Sequence, residues 1–176
     1  MDDMTQGRSN TTATDGEQLL TFIVDGKEYG VDILRVQEIR GWSAPMPIPN
    51  TPAYIKGVIN IRGDVVPIAD LRERLRLPAL SYGDTTVVVV LRIAGTDPGQ
   101  AEAGAAHERI MGIIVDAMSD VTKIPSKSIK PAPVFAESIE KPLTRGIATM
   151  EDKMITILDV DRIFSGTLEV TAARAA

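Results

Sequence analysis

Ile55-Lys56-Gly57-Val58-Ile59-Asn60-Ile61-Arg62-Gly63-Asp64-Val65-Val66-Pro67-Ile68-Ala69-Asp70-Leu71 reads as two β-branched arms around a tight turn. Gly63 supplies the positive φ that such a turn needs. On the first arm Ile59 and Ile61 share one face, and Val58, Asn60 and Arg62 share the other. On the second arm Val66 and Ile68 form the expected core pair. Pro67 cannot donate to a ladder, so this arm is expected to be an edge strand or to carry a bulge.

The hairpin recurs without a gap 89 positions later (56 to 145), as Arg145-Gly146-Ile147-Ala148-Thr149-Met150-Glu151-Asp152-Lys153-Met154-Ile155-Thr156-Ile157-Leu158-Asp159-Val160. Gly57 matches Gly146, Ile68 matches Ile157 and Asp70 matches Asp159. A second match precedes it. Tyr29-Gly30-Val31-Asp32-Ile33-Leu34-Arg35-Val36-Gln37-Glu38-Ile39 aligns with Met111-Gly112-Ile113-Ile114-Val115-Asp116-Ala117-Met118-Ser119-Asp120-Val121. Two blocks in the same order indicate a duplicated β-unit. One position breaks the symmetry: Arg62 stands where the second unit has Glu151. The turn therefore forms without an arginine, and Arg62 is a candidate for a task particular to the first unit.

The 176 residues suit one domain or two fused small ones. Apolar content is 44% but aromatics only 4%, so the core is aliphatic and favours strands. Net charge is −5, which disfavours phosphate-backbone binding. With no cysteine, disulfides, thiolate zinc sites and thiol catalysis are excluded. No apolar run reaches membrane-spanning length, and Met1-Asp2-Asp3-Met4 does not open a signal peptide, so a cytoplasmic protein is expected.

Taken in order, residues 1–16 read as a disordered tail. Gln18 to Val24 and Lys27 to Asp32 are strands joined by Asp25-Gly26. A helical turn is expected near Ile33, then a strand through Glu38 and Ile39. Pro45, Pro47, Pro49 and Pro52 mark an extended connection before the main hairpin. Asp70 is placed to cap a short helix, Leu71 to Arg76, with Leu71 and Leu75 inward and its arginines on a solvated face. Thr85 to Ile93 reads as a strand buried on both faces. Thr96 to Glu108, which holds the sole histidine His107, reads as a loose loop, and Arg109 to Val115 as the returning strand. Pro125, Pro131 and Pro133 punctuate a second connection, and a short helix is expected around Asp161 to Phe164. The end of the chain, 166–176, reads as a second tail.

Catalytic constellations are scarce. A Ser-His-Asp set has only His107 to recruit, from a loop. No phosphate-binding glycine loop follows a strand. A carboxylate-dependent hydrolase remains open, though the carboxylates at turns (Asp25, Asp64, Asp152) and helix starts (Asp70, Asp159) have structural work. A β-barrel module for single-stranded nucleic acid is the other alternative; few aromatics and an acidic chain argue against it. No metal site or cofactor is indicated. What remains is a protein that works by contact with other proteins.

Three runs carry a resemblance: Glu28 to Gly41 (EYGVDILRVQEIRG), Asn50 to Gly63 (NTPAYIKGVINIRG) and Val66 to Leu71 (VPIADL). Together they resemble CheW, the chemotaxis coupling protein family. Val115-Asp116, Ser119-Asp120-Val121 and Ile129-Lys130-Pro131-Ala132-Pro133 extend it, so that it spans about Gln18 to Phe164. The 96–108 loop is longer than the family's hairpin there. The resemblance implies a mainly β fold of two tandem SH3-like five-stranded barrels, intertwined over residues 17–165 and divided near 17–80 and 81–165. It implies no catalysis. It also implies an adaptor between the regulatory domain of the histidine kinase CheA and the cytoplasmic tips of methyl-accepting chemoreceptors. Such an adaptor is recruited to arrays at the inner face of the membrane, without inserting into it and without nucleic acid. Soon after the second barrel the chain ends, as expected of a standalone adaptor. The family's receptor-binding residues map onto Val36, Glu38, Gly57 and Arg62, the last being the arginine marked by broken symmetry. Kinase-contact residues stay unassigned.

Overall fold

The computed structural model describes residues 16–95, 107–132 and 143–164. The expected tails, apart from Gly16 and the boundary around Phe164, and loop residues 96–106 lie outside these. His107 and Glu108, placed in the loop by the sequence, instead begin a strand.

Strands β1 (Glu17–Val24) and β2 (Lys27–Asp32) meet at Asp25-Gly26, both left-handed at φ 54° and 71°. Paired positive φ values match the twist of a two-residue hairpin. Asp32 then caps a single 3-10 turn, Ile33–Arg35, by accepting from the Leu34 amide at 2.9 Å. Strand β3 (Val36–Gly41) follows. The main hairpin is β4 (Ile55–Ile61) and β5 (Asp64–Asp70), and Asp70 caps α1 (Leu71–Arg74). Next come β6 (Val87–Gly95), β7 (His107–Val115) and β8 (Ala117–Ile124). The short β9 (Ile129–Lys130) precedes β10 (Thr144–Met150) and β11 (Lys153–Leu158), and Asp159 caps α2 (Val160–Ile163).

These strands form two SH3-like barrels. One sheet runs β3-β6-β7-β5-β4, the other β8-β1-β2-β11-β10-β9. The sheets do not divide at residue 80. The first holds strands between 36 and 115, and the second joins 17–32 to 117–158. The reason is an exchange of strands. The hairpin of the first unit lays β5 parallel to β7, with Ile68 opposite Gly112; that of the second lays β11 parallel to β2, with Ile157 opposite Gly30. These are the aligned positions of the two sequence blocks. The bulges also correspond, between Ile55 and Gly57 and between Thr144 and Gly146.

Each barrel encloses a small aliphatic core, one of Ile61, Val66, Ile68, Val88, Val90 and Ile114, the other of Leu19, Ile124, Ala148, Ile155 and Ile157. A larger cluster includes Phe22 from β1, Val89, Leu91 and Ile93 from β6, Leu71 from α1 and Phe164 beyond α2. Strand β6 is thus buried on both faces: Val88 and Val90 fill its own barrel, while Val89, Leu91 and Ile93 join that larger cluster.

Two expectations need correction. Strand β5 is not an edge, for it lies between β7 and β4. Pro67 is accommodated because the ladder to β7 starts one residue later, at Ile68, and the bulge falls on the facing strand β4. Nor are the arginines of α1 a solvated face. Arg72 is only 8% exposed. Its Nε and Nη2 donate to the two oxygens of Asp116 at 2.9 and 2.8 Å, its Nη1 to the Pro78 carbonyl at 3.0 Å, and Asp25 lies 3.5 Å away. Arg74 covers the Tyr54 ring at 5.2 Å and donates to the Ile163 carbonyl at 2.7 Å.

Burial alone would raise the Asp116 carboxyl, but the Arg72 hydrogen bonds, the Asp25 amide and the Arg72 charge together hold it below its ordinary value. A carboxyl with a depressed folded-state pKa stabilises the fold above its unfolded pKa, and loses that contribution as pH falls through the folded one. Removing one partner leaves the other charge buried. Arg72→Met is therefore expected to cost about 3 kcal/mol in urea unfolding near neutral pH. Asp116→Asn is expected to flatten the acid limb of stability, read from urea midpoints between about pH 5 and pH 2. An acid limb unchanged from wild type would show that other carboxyls carry it.

Candidate functional site

Strands β3 and β4 are the two edges of the five-stranded sheet. Between Val36 and Glu38 the pairing of β3 with β6 shifts, with Val36 opposite Leu91 and Glu38 opposite Val90. The extra residue, Gln37, turns Glu38 off the face that Val36 uses. Val36 packs, half-buried, against the larger apolar cluster. Glu38 instead reaches the β4–β5 turn, where Arg62 Nη2 donates to its Oε2 at 3.4 Å. This contact links edge strand β3 to the turn that follows the other edge strand, β4.

The partners are unequal. The Arg62 side chain is 78% exposed and that of Glu38 only 23%. The distance is long for a charge-assisted bond. The other carboxylate oxygen, Oε1, is buried and has no hydrogen-bond partner among the described residues. Buried acceptors are normally satisfied, so this oxygen is an open valence of the site. Beside the pair, Ile39 and Val65 are exposed apolar side chains. The pair thus has an unused acceptor, with exposed aliphatic side chains within three residues of it along the chain.

Gly63 is left-handed at φ 94°, as its place in the turn requires, and so is Arg62, at φ 51°. Glu151 has the same φ of 51°. Both units thus place a charged residue where glycine or asparagine is easier. The second unit offers no counterpart to the ion pair, because Asp120 stands at the Glu38 position and Glu151 at that of Arg62. Asp120 is instead occupied locally, its amide donating to Thr21 Oγ1 at 3.1 Å and its carboxylate accepting from the Val121 amide at 2.7 Å.

Gly57 is buried, five positions before Arg62. At φ 143° it leaves no room for a side chain: a Cβ would lie 2.1 Å from the Met46 carbonyl oxygen. Met46 and Val58 exchange two backbone hydrogen bonds of 2.9 Å, and these pin the proline-rich connection onto β4. The structure therefore brings Glu38 and Arg62 together, places Val36 against the larger cluster and makes Gly57 a support for the 44–49 segment.

Sequence reasoning missed a polar chain in the same barrel, at the end of the β4–β5 hairpin away from its turn. Trp42, just past β3, stacks on Tyr82 at 4.0 Å, and the Tyr82 hydroxyl donates to Asp70 Oδ2 at 2.7 Å. Burial, then the Asp70 carboxylate, push the Tyr82 phenol well above its ordinary range. The signal was the single tryptophan and one of three tyrosines, forty residues apart and too sparse to read.

Two substitutions separate these roles. Arg62→Ala is expected to cost no more than about 1 kcal/mol, as for an exposed pair, and Arg62→Gly to match or exceed wild type by relieving the left-handed backbone. Gly57→Ala is expected to cost about 2 kcal/mol or more, from a glycine-only conformation and a backbone clash. Urea midpoints at constant m-value give all three; a neutral Gly57→Ala would show that the 44–49 segment yields freely.

The sequence matches the CheW-like domain family over residues 18–167. It is similar to the chemotaxis protein CheW of Klebsiella aerogenes, 38% identical over 152 residues, covering 86% of this chain and 84% of that protein. The CheW of Rhizobium meliloti is 35% identical over 149 residues, covering 85% and 88%. Among solved structures, the scaffolding protein TtCheW of Thermoanaerobacter tengcongensis superposes with a TM-score of 0.72 at 30% identity, covering 85% of this chain and 92% of that one. These relatives give the nucleic-acid and hydrolase readings no support.

Proposed function

This chain belongs to the CheW-like family of non-catalytic chemotaxis adaptors, and we propose that it joins chemoreceptor tips to the histidine kinase CheA through the surface around Glu38 and Arg62. The observation that carries this reading is an asymmetry. The duplicated fold repeats its hairpin bulges and its two α-helix caps, yet among the described residues the Glu38–Arg62 pair has no counterpart at the equivalent positions, Asp120 and Glu151. A feature absent from the equivalent turn is not needed to form that turn, so its use lies in binding.

On this reading the receptor tip meets the edge formed by β3 and the β4–β5 turn. It offers a donor to the unused Glu38 oxygen and apolar side chains to Ile39 and Val65. Val36 and Gly57 act from behind, Val36 by fixing β3 and Gly57 by holding the 44–49 segment. CheA binds elsewhere on the molecule through its regulatory domain. On the same reading these partners recruit it to the membrane face; no described helix is long and apolar enough to cross a membrane.

The test is a parallel titration of folded Arg62→Ala against a receptor-tip fragment and the CheA regulatory domain. Receptor binding is expected to weaken about tenfold, roughly 1.4 kcal/mol, with CheA binding unchanged. Glu38→Ala is expected to behave alike, and the double variant to fall short of the sum. Undiminished receptor binding with normal kinase activation would withdraw the assignment.

A further inference from the structure

The two short helices reach across the molecule in opposite directions. Helix α1 follows β5 of the five-stranded barrel, yet its Arg72 grips Asp116 and Asp25. Asp25 is the turn of β1 and β2, and the Asp116 amide donates to the β1 carbonyl of Ile23 at 3.1 Å. Asp25 therefore belongs to the six-stranded barrel, and Asp116 is the residue at which the chain crosses from β7 into β8, held there against β1. Helix α2 follows β11 of that barrel, yet its Asp161 grips the other one. Asp161 Oδ2 accepts from Arg35 Nη2 at 2.6 Å, and its Oδ1 accepts from the Ala94 amide of β6 at 2.9 Å. Arg35 also donates to the Arg92 carbonyl of β6 at 3.0 Å.

Arg72 and Asp161 are equivalent positions of the repeat, 89 residues apart, with their charges inverted. Arg74 and Ile163 are equivalent too, and they touch: Arg74 Nε donates to the Ile163 carbonyl at 2.7 Å. Contact between equivalent positions is the mark of a two-fold axis, so α1 and α2 sit at the pseudo-dyad of the duplicated fold. The apolar cluster between the barrels attracts without direction. Forked guanidinium–carboxylate bonds, by contrast, set an orientation.

We propose that the α1–α2 pair is a latch that fixes the angle between the two barrels, with Arg72 and Asp161 as its two pins. Unlatched, the barrels keep their own cores and turn about the apolar cluster. The proposal concerns the free protein and holds whether or not Glu38 and Arg62 bind a receptor.

The chain has no cysteine, so a pair of spin labels can be introduced without removing any native residue. Cysteines in place of exposed Arg40 on β3 and Thr149 on β10 span the barrels; cysteines at Arg40 and Asp64 span the five-stranded barrel alone. Pulsed electron resonance on the full chain gives both distances. The sole tryptophan, Trp42, reports an intact five-stranded barrel through its stack on Tyr82. In Arg72→Met and in Asp161→Asn the cross-barrel distance is expected to broaden and shift, with the within-barrel distance and Trp42 emission as in wild type. Arg72→Lys, which keeps the charge but not the fork, is expected to restore the distance only in part. An unchanged cross-barrel distance in either folded variant overturns the latch. So does equal broadening of both distances, which marks general loosening, and so does failure of both variants to fold, which makes the contacts part of folding itself.

Discussion

Neither barrel can close on its own strands. A hairpin such as β4–β5 has two outer edges, and an isolated hairpin is marginal in water. Here the inner edge of each hairpin is satisfied by a strand that also belongs to the turn-over between units: β5 by β7, β11 by β2. The same exchange places α1 and α2 against each other and builds the large apolar cluster from both halves of the chain. Strand order, core layout and helix placement all follow from that reciprocal pairing.

Local structure was legible in the sequence because its causes are local. Asp25-Gly26, the alternation along β4 and β5, and the capping aspartates Asp70 and Asp159 act within a few residues, and each appears where it was read. What was illegible depends on the exchange. Parallel pairing between β5 and β7 joins residues about forty apart and leaves no periodic trace that distinguishes it from pairing within a unit. That is why a division near residue 80 looked natural, and why Pro67 suggested an edge. Arg72 was misread for the same reason. On a four-residue helix the side facing away from its own barrel looks like the solvent side, but here that side is the other barrel. The candidate pair was legible for the opposite reason: Arg62 broke a repeat, and a broken repeat is visible in one sequence. Its partner came from family resemblance, and the structure supplied the contact between them. Gly57 entered the candidate site through the resemblance alone, and its conformation and the close Met46 carbonyl could be seen only in the structure.

Duplication also explains how a rigid scaffold can carry a one-sided surface. Two copies of a fold begin with two copies of every surface, and an adaptor with identical faces would not distinguish its partners. Specificity needs differences that spare the frame. The frame lies in glycines, caps and aliphatic cores, and those positions are matched between the units. The differences lie where a side chain leaves the frame. Glu38 and Arg62 attract each other in one barrel, while Asp120 and Glu151 share a sign in the other. Such a change leaves the backbone at that position alone, for Arg62 and Glu151 hold the same left-handed φ, although the next residue differs: Gly63 is left-handed and Asp152 is not.

The inverted pins on α1 and α2 follow the same logic one level deeper. Had duplication kept the charge, two arginines or two aspartates would occupy the pseudo-dyad region with like charges on both helices. Inversion gives one cation and one anion, each meeting an opposite charge on the other barrel. Like charges there would repel each other and would each need a counter-charge of the same sign on both sides. With opposite signs, the grips also cannot be exchanged. The Arg72 guanidinium hydrogen-bonds the Asp116 carboxylate, and Asp161 accepts from the Arg35 guanidinium and the Ala94 amide. Pairing by sign excludes the arrangement in which the barrels meet the other way round, which an apolar cluster of near-symmetric aliphatic residues would tolerate. The asymmetry that gives this fold one distinct face thus runs inward to the contact that holds its halves in register.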